Sequence, residues 1–137
     1  MRRRVRLLIA TLVAVMAISM TVAPAFAQQY NSTLSFWNTL TGQCRTYNGT
    51  GIHIQLTTYV SNGGGSDHGT YTISVYRCSG GQISTLVGGA GSCNYPGFCG
   101  YGWSIALGGS QYAFYFKKTS GDWHDIIASD SVQMWST

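Results

Sequence analysis

Glutamate is missing from this chain of 137 residues, and aspartate occurs only at Asp67, Asp122, Asp125 and Asp130. That scarcity narrows the chemistry before anything else does. Glycoside hydrolysis calls for two carboxyl groups facing each other across a cleft. The one close pair, Asp122 and Asp125, falls in a turn-like stretch where aspartates cap backbone N–H groups. The chain also lacks a Gly-x-Ser-x-Gly elbow and a His-Glu-x-x-His helix motif. It has no Cys-x-x-Cys pair, so a zinc site would lack its usual ligand spacing. The three histidines are His53, His68 and His124. Asp67-His68 and His124-Asp125 are neighbours in sequence, and neighbouring side chains of an extended chain point apart. The expectation is no catalytic residue, no metal and no cofactor. A small hydrolase working through His68 or His124 is kept as a third reading.

Proline and charge are scarce too. The two prolines are Pro24 and Pro96, and charged residues make up 9% of the chain. Half of the basic residues sit at the N-terminus as Arg2, Arg3, Arg4 and Arg6. An apolar run, Leu7–Val22, follows them, then Pro24 and the small-x-small triplet Ala25-Phe26-Ala27. This is the layout of a secretory signal peptide of bacterial type, residues 1–27, cleaved after Ala27. The run is short of the roughly 20 residues a membrane span needs. No apolar tail closes the sequence at Met134–Thr137. The expected product is therefore a single secreted, extracellular domain, residues 28–137, untethered to a membrane and monomeric.

In that product Arg45, Arg77, Lys117 and Lys118 stand against four aspartates, so the charges balance. Nucleic-acid binding needs a basic patch, and none remains. The four cysteines, Cys44, Cys78, Cys93 and Cys99, read as two disulfides in an exported chain. Three pairings exist; Cys44–Cys78 with Cys93–Cys99 is favoured because the second pair closes the short loop Asn94–Phe98. In the chain-entropy picture the long link is worth roughly 4 kcal/mol and the short one roughly 2.

What is abundant is alternation. The segment Gly69–Cys78 sets Tyr71, Ile73 and Val75 against Thr72, Ser74 and Tyr76, the period of a β-strand. Gly51–Val60 puts Ile52, Ile54 and Leu56 on one face and His53, Gln55, Thr57 and Tyr59 on the other. Gln111–Lys118 does the same with Tyr112, Phe114 and Phe116, and Ser131–Ser136 with Val132 and Met134. Shorter strands are expected at Thr33–Trp37, Gln43–Tyr47, Gln82–Val87 and Trp103–Leu107. Trp123–Ala128 reads as a strand or a bent segment. The glycine run Gly88–Gly91 and the pair Ser129-Asp130 read as turns, and Ser61–Gly69 as a hairpin loop joining its two flanking strands. About eight or nine short strands with turns every 8–12 residues or so give an all-β fold. The expectation is one antiparallel β-sandwich, immunoglobulin-like or jelly-roll-like, with a small closed barrel as the alternative.

Function has to be read from the aromatic residues. Tyr95, Phe98, Tyr101 and Trp103 crowd a glycine-rich segment stapled by Cys93–Cys99. Rigid exposed rings lose little entropy on binding, and they suit both sugar stacking and protein hot spots. The competing reading is that they cap the core. The first functional reading is a secreted, non-enzymatic binding protein that grips a polysaccharide or cell-surface ligand through Tyr95, Phe98, Tyr101 and Trp103, with Trp123 nearby. The alternative is a secreted inhibitor or antagonistic, toxin-like protein acting on a protein target. Outward-facing Tyr59, Tyr76, Tyr115 and Trp135 offer a second platform among Thr and Gln.

Overall fold

The computed structural model describes residues 28–63 and 67–137; the segment 1–27 read as a signal peptide lies outside them. The described residues form nine strands: β1 (Gln29–Phe36), β2 (Thr39–Thr41), β3 (Arg45–Thr46), β4 (Gly51–Val60), β5 (Gly69–Ser79), β6 (Gln82–Tyr95), β7 (Gly97–Ser104), β8 (Gln111–Lys118) and β9 (Ile127–Ser136). They make two antiparallel sheets, one ordered β1-β9-β4-β7, the other β2-β8-β5-β6 with β3 also paired to β8. The fold is the all-β sandwich that the alternation implied, with two sheets rather than one closed barrel.

The core forms where the apolar rows meet. Ile52, Ile54 and Leu56 of β4 and Val132 and Met134 of β9 face Tyr71, Ile73 and Val75 of β5 and Tyr112, Phe114 and Phe116 of β8, all buried. Each large side chain removed from water contributes about 1.5–3 kcal/mol. Aromatic edges interlock across the layer: Phe36 meets Tyr71 at 6.1 Å and Phe116 at 5.8 Å between ring centres. Tyr47 meets Phe114 nearly edge-on at 6.4 Å.

Four sequence-based expectations are corrected. The Ser61–Gly69 segment does not close a hairpin: β4 lies in one sheet and β5 in the other, so the chain crosses the sandwich there. The Gly88–Gly91 run is no turn, because β6 continues through it, with an irregular register against β5. Gly88 and Gly91 are packing sites, while nothing lies within 4 Å of a Cβ on Gly89. A Cβ on Gly88 would stand 2.9 Å from Trp103 Cδ1, and one on Gly91 would stand 2.7 Å from the Tyr101 ring. The strand expected at Trp103–Leu107 runs instead from Gly97 to Ser104. Ser129-Asp130 belongs to β9, where an irregular register against β4 between Leu56 and Tyr59 absorbs the local break.

Both disulfides have the favoured pairing. Cys44–Cys78 fastens the segment between β2 and β3 to the end of β5. Cys93–Cys99 does something the sequence did not disclose. It joins β6, at the edge of one sheet, to β7, at the edge of the other. The expected Asn94–Phe98 loop is thus a corner, with strand on both sides and a cis Tyr95–Pro96 bond at its turn.

Candidate functional site

Of the five rings proposed as a binding set, Tyr101 and Trp103 come together, and the set as a whole does not share one surface. Tyr95 is 1% exposed, turned into the core beside Tyr71. Trp103 lies against Phe114 and donates its indole N–H to the carbonyl of Gly89 at 2.7 Å. Tyr101 stacks on Trp103 at 5.8 Å and donates its hydroxyl to Ser92 O. These two rings clamp β6 to β7. Phe98 is 69% exposed on the outer face of β7, and Trp123 is 76% exposed on the loop between β8 and β9. The stapled corner therefore buries its tyrosine and offers a single free ring.

The loop at residues 119–126 is built differently. Asp122 caps it as expected: its Oδ1 accepts the His124 backbone N–H at 2.8 Å and lies 3.1 Å from His124 Nδ1. The backbone N–H, then the ring, hold the Asp122 carboxyl below the usual carboxylate range. Lys118 Nζ donates to the carbonyls of Asp122 and Asp125. Asn62 reaches over from the β4–β5 crossing, donating to His124 O at 2.6 Å and accepting from Ile126 N at 2.8 Å. Trp37 donates its indole N–H to the same His124 carbonyl at 3.2 Å.

The underside is held by Tyr95. Its hydroxyl lies 3.1 Å from both Ser120 O and Oδ2 of buried Asp125. Burial first, and Asp125 second, push that hydroxyl up to about 12. Gly121 must be glycine: its φ is +104°, and a Cβ there would fall 1.8 Å from Tyr95 Oη. These hydrogen bonds tie the loop's backbone to Trp37, Asn62, Tyr95 and Lys118. The tip carries Trp123 with the His124 ring against it, and Trp37, 58% exposed, stands alongside.

This geometry assigns the two close aspartates to structure. Asp122 is tied to His124 at the surface, and Asp125 is buried against Tyr95, so they do not face each other across a cleft. Among the described residues no three His, Cys, Asp or Glu side chains gather as a metal site would require. Trp37 was missed from the sequence because it ends an alternating strand and reads there as one more apolar residue.

A second feature is the outer face of the sheet β1-β9-β4-β7. Two adjoining hollows of about 350 and 320 Å³ share Gln55 and Gln133. One continues to Phe98, Tyr59 and Asp130, the other to Gln29 and Trp135. A tighter apolar slot of about 50 Å³ opens between β1 and the β2–β3 edge.

No family model matches the chain, and no curated protein matches it in sequence. Among solved structures it aligns with the crystal structure of Aeromonas hydrophila PliG, a periplasmic lysozyme inhibitor of g-type lysozyme. The identity is 10% and the TM-score 0.40, over 85% of this chain and 92% of that one. No site is carried over on that likeness.

Proposed function

We propose that this is an exported binding protein of the inhibitor kind, which docks the Trp123 loop, with Trp37 beside it, into a cleft on a protein partner. One observation carries the reading: a tryptophan three-quarters exposed at the tip of a loop whose backbone is held from three sides. Tryptophan dominates protein hot spots. A ring held in place beforehand loses little freedom on docking, the condition met by inhibitors that bind without changing shape. The two disulfides support an oxidising compartment. A grip on polysaccharide through the five rings together loses its support, because Tyr95 is buried and Trp103 packs against Phe114, leaving Phe98 and part of Tyr101 exposed there.

The test is inhibition of a panel of secreted hydrolases, lysozymes of several types and extracellular proteases, by the disulfide-bonded protein. At least one member should be inhibited. Trp123→Ala with Trp37→Ala should weaken that inhibition at least thirtyfold, as hot-spot truncations of about 2 kcal/mol do. Trp123 is exposed and Trp37 gives up one surface hydrogen bond to His124 O, so the melting curve should move by only a few degrees. Full potency in the double variant, or no inhibition across the panel, overturns the reading.

A further inference from the structure

We infer that the outer face of the sheet β1-β9-β4-β7 is a binding groove for a neutral glycan chain, separate from the tryptophan loop. The inference does not rest on the inhibitor reading.

The groove runs along β4. From His53 to Tyr59 the strand covers roughly 20 Å at ~3.3 Å per residue. At one end Trp135 stacks on His53, ring centres 5.3 Å apart and planes 10° from parallel. At the other, the exposed Phe98 ring stands beside Tyr59. Between these aromatic ends lie the amides of Gln55 and Gln133 and the hydroxyls of Thr57 and Ser131, over Leu56. Gln55 donates to Gln133 across the β4–β9 pair, which leaves one amide acceptor and one amide donor uncommitted at the centre of the floor. Gln29 lines the same hollow from β1. The opposite strand is cut back to let the rings lie flat. Gly102 pairs with His53 and Gly100 with Gln55. A Cβ on Gly102 would reach 2.5 Å from His53 Nδ1, whereas one on Gly100 would only touch the Phe98 ring at 3.4 Å.

Three kinds of chain ligand are separated by chemistry. An extended peptide binds a sheet by adding to its edge, where backbone groups are free. Here the groove lies over β9 and β4, the two inner strands, whose backbones are paired on both sides. A single-stranded nucleic acid needs cations along its backbone, and no Lys or Arg lines either hollow. The one carboxylate lining the groove, Asp130, sits at its end and already accepts the Tyr59 hydroxyl at 2.8 Å. What remains suits sugar rings. Their apolar faces stack on aromatics, and their hydroxyls both donate and accept, matching amide groups that do the same. The adjoining hollows are each of a size that ordinary ligand sites have.

The test is titration of the disulfide-bonded protein with chitohexaose, cellohexaose and mannohexaose, by calorimetry and by backbone amide shifts. At least one should saturate, with the shifted amides on β4, β7 and β9. Phe98→Ala and Trp135→Ala should each weaken binding about tenfold, the scale of a lost anchoring ring. Gln133→Ala, a small change that spares the rings, should weaken it severalfold. Leu86→Ala, on an exposed stretch of the other sheet, should leave it unchanged. Absence of saturable binding by all three sugars overturns the inference, as does affinity unmoved by Phe98→Ala and Gln133→Ala. Preference for a polyanionic glycan such as a heparin oligosaccharide, or for an extended peptide, also overturns it. Failure of the inhibition assay leaves these readouts untouched.

Discussion

The corner at Tyr95–Gly97 and the loop at 119–126 press against each other at one end of the sandwich, and they are stiffened by opposite means. The corner is closed by a covalent bond and points its tyrosine inward. The loop contains no cysteine and points its tryptophan outward, held by hydrogen bonds from Asn62, Lys118, Asp122 and Tyr95. The two are coupled through one side chain, because the buried Tyr95 of the corner supports the floor of the loop. The Cys93–Cys99 disulfide marks where the two sheets are riveted edge to edge, whereas Cys44–Cys78 lies within one sheet. Presentation of a free ring is the work of polar contacts spread over four segments of chain.

The sharpest way to break this comparison is Tyr95→Ala. It removes a buried ring and should lower stability by about 4 kcal/mol in urea unfolding. A smaller loss, about 2 kcal/mol, is expected when Cys93→Ser and Cys99→Ser open the corner. Amide exchange at His124 and Ile126 should stay slow in that variant; fast exchange would mean the staple, and not Tyr95, orders the loop. Tyr95→Phe keeps the ring and takes only the hydroxyl, leaving the buried Asp125 oxygen without its donor. It should lower stability by about 1.5 kcal/mol and speed exchange in the loop. Unchanged exchange would detach the loop from the corner.

A pH dependence is expected as well. Burial raises the Tyr95 and Tyr71 hydroxyls to about 12 from their ordinary value of 10.0. The folded state then holds these protons more tightly than the unfolded one. Their contribution is complete below about pH 10 and is lost as pH climbs toward 12. Denaturation midpoints across pH 9–12 should fall over that window, and less steeply in Tyr95→Phe.

Much of the fold could be read in advance from period-two alternation. The strands at Gly51–Val60 and Gln111–Lys118 have the bounds their patterns implied, and their apolar rows are the buried ones. The pattern failed at glycine. Gly88–Gly91 looked like punctuation, yet it is strand, since the indole of Trp103 and the ring of Tyr101 occupy the space side chains would fill. It failed again at the Ser61–Gly69 segment, because a loop's composition does not say whether the next strand pairs with the last or crosses to the other sheet. The candidate site was legible only in fragments. Phe98 and Trp123 are exposed as a binding role needs, whereas Tyr95 is not, and its place depends on Asp125 and Ser120, which lie far along the chain.

What the amino-acid order by itself determined is local: the strand type, the inward rows, and a cysteine pairing constrained by short separation. These follow from the two-residue repeat of a strand and from the few pairings four cysteines allow. What only the tertiary structure decided is which surfaces are free. Whether a ring on a turn faces solvent or core depends on groups brought beside it by other strands. Trp37, Asn62, Lys118 and Trp123 meet at one end because two sheets stack, and that juxtaposition has no signature along the chain.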